Sequence, residues 1–150
     1  MFLVKNLNQY DNNCVIFCDP IKNNIMNEGN FIRILYSTNN VTLNGIYLLI
    51  QLKDINCEKY YNKYKCVFNV NNHKALIEEI RLIEENILQK LSSTYYNKYP
   101  EFKINEQLKN GFIKIFQEIH SNNMHNFILK ISGVWETNSS YGLTYKFIYI

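Results

Sequence analysis

Four separate segments of the chain alternate with a period of two, and this constrains the fold more than any other feature. In 46–53, Ile46, Leu48, Ile50 and Leu52 take one side, and Tyr47, Leu49, Gln51 and Lys53 the other. In 64–70, Tyr64, Cys66, Phe68 and Val70 oppose Lys65, Val67 and Asn69. In 127–135, Phe127, Leu129, Ile131 and Trp135 oppose Lys130 and Ser132. In 142–149, Leu143, Tyr145, Phe147 and Tyr149 oppose Thr144 and Lys146. That period belongs to strands with one buried and one wet face. The run FIRILY at 31–36 adds a fifth strand. STNN at 37–40 and ETNSS at 136–140 are turn clusters, and Asn44-Gly45 between apolar runs predicts a hairpin.

One segment changes period. In 73–91, Leu76, Ile77, Ile80, Ile83, Ile87, Leu88 and Leu91 recur three and four apart, which predicts a long helix packed on the sheet. Asn72 is its expected N-cap. Glu78, Glu79, Arg81, Glu84 and Glu85 fall mainly on the opposite, wet side. Residues 1–30 read as loop with at most one edge strand. SSTYYNKYP at 92–100 reads as loop, and 112–116 leans to strand although Gly111 interrupts a helical spacing. The order is three strands, a long helix, then a C-terminal hairpin.

At 150 residues and 17.9 kDa there is room for one domain, 1–150, and not for two. The expected fold is mainly β with one long helix. It is an OB-fold-like five-stranded Greek-key barrel with the helix inserted after the third strand. A generic α+β sheet is the competitor. With 47% hydrophobic and 19% charged residues, disordered and low-complexity classes are excluded. Asn (24), Ile (20), Lys (14), Tyr (12) and Phe (9) share A/T-rich codons and fill more than half the chain. Many Asn and Lys therefore need no role beyond solubility.

No apolar run is long enough for a membrane span, and the N-terminal residues do not resemble a signal peptide. The cysteines, Cys14, Cys18, Cys57 and Cys66, contain no C-x-x-C pair. They are expected to be free and reduced, which implies an intracellular protein. A zinc site from Cys14, Cys18, His120 and His125 can be drawn, but its spacing fits no standard finger. No phosphate-loop, dinucleotide, metalloprotease or nucleophile-elbow motif occurs. No enzyme, metal or cofactor is expected.

The charge pattern is more informative. None of the 13 acidic residues falls inside the five strands, whereas Arg33, Lys53, Lys65, Lys130 and Lys146 do. Pairing Val134 with Gly142 sets Ser132 against Thr144 and Lys130 against Lys146. Directly opposed lysines repel, and a row of phosphates would turn that repulsion into attraction. Lysines splayed into water, guarding a strand against aggregation, are the plain alternative. Aromatics supply the other half of a single-strand site, because bases stack on rings regardless of sequence. Tyr47 shares a side with Lys53. Tyr60 and Tyr61 alternate with Lys59, Lys63 and Lys65, and Tyr95, Tyr96 and Tyr99 surround Lys98. Tyr141 flanks the last turn. These tyrosines either stack bases or pack. Trp135 lies on the apolar parity, which favours packing at a barrel rim over stacking. The candidate nucleic-acid contacts are Arg33, Tyr47, Lys53, Tyr60, Lys63, Lys65, Lys130, Trp135, Tyr141 and Lys146.

The segment FILKISGVWETNSSYGLTYKF resembles the C-terminal hairpin of OB-fold single-stranded DNA-binding proteins of large DNA viruses and some phages. Lys130, Ile131, Ser132, Gly133, Trp135, Glu136, Tyr141, Gly142, Leu143, Tyr145, Lys146 and Phe147 carry the resemblance. It covers about twenty residues. It implies a sequence-independent single-stranded DNA-binding accessory of viral replication or recombination, inside the infected cell, in cytoplasm or nucleus. Its partners would be single-stranded DNA, or RNA, and viral replication proteins, with homo-oligomers left open and no membrane. Such proteins often end in an acidic tail; this sequence ends FIYI, so recruitment by that route is not expected. A viral structural or protein-interaction subunit on the same barrel is the alternative.

Overall fold

The computed structural model describes residues 4–22, 29–116 and 126–150. Its strands are β1 (Val15–Phe17), β2 (Ile21–Lys22), β3 (Asn30–Ser37), β4 (Thr42–Leu43), β5 (Ile46–Gln51), β6 (Asn56–Tyr60), β7 (Lys63–Val67), β8 (Tyr99–Glu101), β9 (Phe112–Ile115), β10 (Asn126–Glu136) and β11 (Ser140–Tyr149). Its helices are α1 (Lys74–Gln89) and α2 (Lys103–Lys109). The chain is mainly β with one long helix, as the alternation predicts, and the larger sheet curls into a half-barrel.

That larger sheet has eight strands, ordered β1-β3-β10-β11-β8, with β2 and β4 also on β3 and β5 on β10. β10 is the spine. β11 follows its whole length on one side. On the other side β5 takes Asn126–Ile131 and β3 takes Gly133–Glu136. A second, three-stranded sheet runs β6-β7-β9. The expected five strands are thus found within eleven, and the third of them belongs to the second sheet.

Both sheets and both helices close on one continuous core. Ile34, Leu48, Ile50 and Leu129 come from the large sheet, Cys66, Ile113 and Ile115 from the small one, and Ile80, Ile87 and Leu88 from α1. Burying one such side chain stabilises by roughly 1.5–3 kcal/mol.

Several expectations need correction. Asn44-Gly45 does not close a hairpin between β4 and β5. β4 folds back on β3, and β5 leaves to join β10. Gly45, at φ +113°, makes that departure, and a Cβ there would stand 3.0 Å from the Ile131 carbonyl. α1 begins at Lys74 after a 3-10 turn, Val70–His73; Asn69 caps that turn, not Asn72. His73 is buried at the junction. Its Nε2 accepts from the Lys53 N–H at 2.9 Å, and its Nδ1 lies 2.7 Å from the Asn69 carbonyl, which fixes the proton on Nδ1. The loop expected at 92–100 ends in β8, and α2 follows it.

Glu84 does not lie on the wet side of α1. It is buried: its two carboxylate oxygens accept the Ile104 and Asn105 N–H groups, each at 3.0 Å, and so cap α2. Burial pushes its pKa up to about 7, against the pull of those two hydrogen bonds and with help from Glu106.

Cys57 and Cys66 form a disulfide, where free thiols were expected. They stand directly opposite each other on β6 and β7 with Cα atoms 4.0 Å apart, the close spacing of a non-hydrogen-bonded pair. Cys14 and Cys18 are free. His120 and His125 lie outside the described residues, so the drawn zinc site does too; among the described residues no metal-ligand cluster forms.

Candidate functional site

The registers of β3, β5, β10 and β11 define the outer face of the large sheet row by row. Tyr47, Lys130 and Lys146 are direct neighbours across β5, β10 and β11. Arg33, Gly133 and Thr144 form the next row across β3, β10 and β11. Phe31, Trp135 and Gly142 form the third, which continues to Glu101 on β8. Strands lie about 4.8 Å apart, so each row is a tight line of side chains.

Lys130 therefore faces Lys146 as expected, but the path to that pairing differs. A one-residue bulge at Ser132 sets Gly133 against Thr144, Val134 against Leu143 and Trp135 against Gly142. Val134 thus meets Leu143 where Gly142 was expected, and Ser132, the extra residue, gives up Thr144 to Gly133. The bulge also reverses parity beyond it. Val134 and Glu136 point into the core, and Trp135 emerges on the lysine side, half-exposed. The sequence pattern placed Trp135 inward because simple alternation has no room for the extra residue.

Glycines let two rings lie on this face. A Cβ on Gly133 would meet the Phe31 ring at 2.5 Å, and one on Gly142 would meet the Trp135 ring at 2.7 Å. Each ring covers the glycine of a neighbouring strand. Lys103, from the start of α2, holds its ammonium 5.3 Å from the centre of the Trp135 ring. Lys130 does the same over Tyr47 at 5.5 Å. Arg33 donates to Asn44 Oδ1 at 2.9 Å. Among the described residues no carboxylate lies within ion-pair distance of Arg33, Lys130 or Lys146. Glu101 stands at the margin, paired with Lys103 at 3.7 Å.

Five of the ten expected contacts, Arg33, Tyr47, Lys130, Trp135 and Lys146, share this face. The others do not. Tyr141 is buried beneath it, its ring centre 5.1 Å from that of Tyr95, because β11 alternates and Tyr141 opposes Glu136 on the core side. Lys53 lies past the end of β5, after buried Leu52, with its backbone tied to His73. Tyr60, Lys63 and Lys65 belong to the small sheet. In the Tyr95 cluster, Tyr95 packs in the core and Lys98 binds Glu136 at 3.0 Å and the Thr137 carbonyl at 2.6 Å. Burial would raise Glu136, but Asn30 and Lys98 more than offset it and hold the carboxylate below its ordinary value. Glu136 ends β10, one residue past the expected strand, and Glu58 and Glu101 lie on β6 and β8, outside the five expected strands.

Phe31, Tyr99 and Lys103 are part of this face and were not among the expected contacts. Phe31 has the parity of Arg33, which was signal enough. Tyr99 is exposed and pairs with Ser140 through β8, and Lys103 rides on α2; neither element was legible.

This face presents cationic groups and aromatic rings side by side. Among the described residues no helix is long and apolar enough to cross a membrane. No family model matches the chain, no curated protein matches its sequence and no solved structure matches its fold.

Proposed function

We propose that the protein is a non-enzymatic, sequence-independent binder of single-stranded nucleic acid, DNA first, acting through the outer face of the large sheet. The row Tyr47–Lys130–Lys146 carries the reading: two opposed ammonium groups beside an aromatic ring, with Arg33 one row away. Opposed lysines destabilise a sheet, and a polyanion laid along the row reverses the sign. Tyr47 and Trp135 offer rings to bases, which stack for about 1–3 kcal/mol each without sequence preference.

In its finer form the reading takes the half-barrel as an OB-like Greek key whose helix follows the third expected strand. It takes the work as accessory to viral DNA replication or recombination in the infected cell, alongside viral replication proteins. The hairpin resemblance supports both. Binding of labelled poly(dT), duplex DNA and RNA at two salt concentrations tests the core claim. Tight, salt-sensitive binding of poly(dT) over duplex is expected; no binding to any single strand overturns it.

One observation favours a second reading. Ile16 and Ile21, 45% and 57% exposed, extend the same face through β1 and β2 beside Leu35 and Phe31. A protein-docking subunit, homo-oligomeric or viral-structural, would use that apolar margin. It predicts a stable oligomer by light scattering without nucleic acid, and no oligonucleotide shift.

A further inference from the structure

The small sheet repeats the arrangement of the large one. Its outer face collects Tyr60, Lys63, Lys65, Val67, Phe112 and Lys114. Lys65 and Lys114 are directly opposed across β7 and β9, as Lys130 and Lys146 are across β10 and β11. Both ammonium groups sit over one ring, Phe112, at 4.8 and 5.7 Å from its centre. Lys63 sits over Tyr60 at 5.7 Å. Glu58 opposes Lys65 from β6, yet the Lys65 ammonium lies over Phe112 and makes no ion pair with it. The hairpin tip adds a further ring: Tyr61 is 82% exposed and held at φ +56°, a conformation that suits glycine better than tyrosine. Core packing accounts for none of this, because the inward residues of the same strands, Cys66, Ile113 and Ile115, do that work.

Resting on the single-strand reading above, we propose that the outer face of the small sheet is a second, separate contact for the same strand. There Lys63, Lys65 and Lys114 take phosphates while Tyr60, Tyr61 and Phe112 meet bases. A strand long enough to reach both sheets engages both; a short one is held by the large sheet alone.

The test compares oligo(dT) of about 8 and about 30 nucleotides, lengths chosen against a usual reach of about 4–16 nucleotides per small barrel. It uses the unaltered protein, a triple variant (Lys63→Ala, Lys65→Ala, Lys114→Ala) and Tyr61→Gly. The triple variant is expected to bind the short strand unchanged. It should bind the long strand at least about tenfold more weakly, with its salt slope lower by about 2, from ~0.7 per phosphate over three contacts. Tyr61→Gly should lower long-strand affinity in the same selective way without lowering the melting temperature, which separates a binding role from a folding one. An unchanged long-strand affinity overturns the proposal. Equal losses for both lengths overturn it too, since the two faces would then be one site. If the unaltered protein binds neither strand, the parent reading falls, and this one with it.

Discussion

Lys130 and Lys146 oppose each other with, among the described residues, no carboxylate in ion-pair reach, and this sets two measurable signs. Removing one ammonium relieves repulsion, so Lys146→Ala should melt no lower than the unaltered protein. The Lys130→Ala, Lys146→Ala pair should nevertheless lose affinity for every single-stranded sequence alike, and flatten the salt slope by about 1.4 at ~0.7 per phosphate. An unchanged slope would place the strand elsewhere. Trp135 is the only tryptophan, so its fluorescence reports this face alone. Oligo(dT) should quench it. Gly142→Ala puts a Cβ 2.7 Å from that ring and 2.9 Å from the Glu101 carbonyl. It should cost about 1–3 kcal/mol in a urea melt, as overpacking does, and weaken the quenching by displacing the ring.

Glu84 ties two elements together, and its proton decides how well. Its folded pKa, about 7, lies above the ordinary 4.5 because burial disfavours the charge. A raised value means the folded state holds the proton more tightly than the unfolded chain. Its stabilisation is therefore complete below about 4.5 and is lost as pH rises through about 7. The unfolding free energy from urea melts should fall between pH 5 and pH 8, by up to about 3 kcal/mol for the whole shift. Glu84→Gln, which cannot ionise, should remove that dependence; an unchanged pH profile in the variant would reject the assignment. The sequence could not show this. Helical periodicity sorts Glu84 with its wet neighbours, and only the N-terminus of α2 gives a buried carboxylate something to bind. α2 itself was hidden because its apolar residues, Ile104 and Leu108, run on towards Phe112 in one helical spacing broken at Gly111. Strands with clean alternation, β5, β7 and β11, were legible in both existence and facing. β10 was legible only as far as Ser132, since a bulge leaves the composition of a strand unchanged while reversing every side chain after it.

The whole molecule is only slightly cationic, +3 by formal count, so affinity depends on where charge lies and not on how much there is. Glu78 and Glu85 clasp Arg81 on the exposed side of α1, while Arg33, Lys130 and Lys146 gather on the large sheet and Lys63, Lys65 and Lys114 on the small one. That partition was half legible. Cations could be counted on strands, but assigning them to two sheets required knowing that β7 pairs with β9 and not with β5. It makes the salt dependence a count of faces. Three phosphates on the large sheet alone give a slope near 2, and six across both give one near 4, at ~0.7 each. The slope should therefore step upward once oligo(dT) is long enough to reach the small sheet, instead of growing smoothly with length. At matched salt, poly(dT) and poly(dC) should differ little, because neither phosphates nor stacking rings read base edges. A slope below 1 at every length would mean that the lysine rows meet water and not a strand, and the apolar margin at Ile16 and Ile21 would become the surface to pursue.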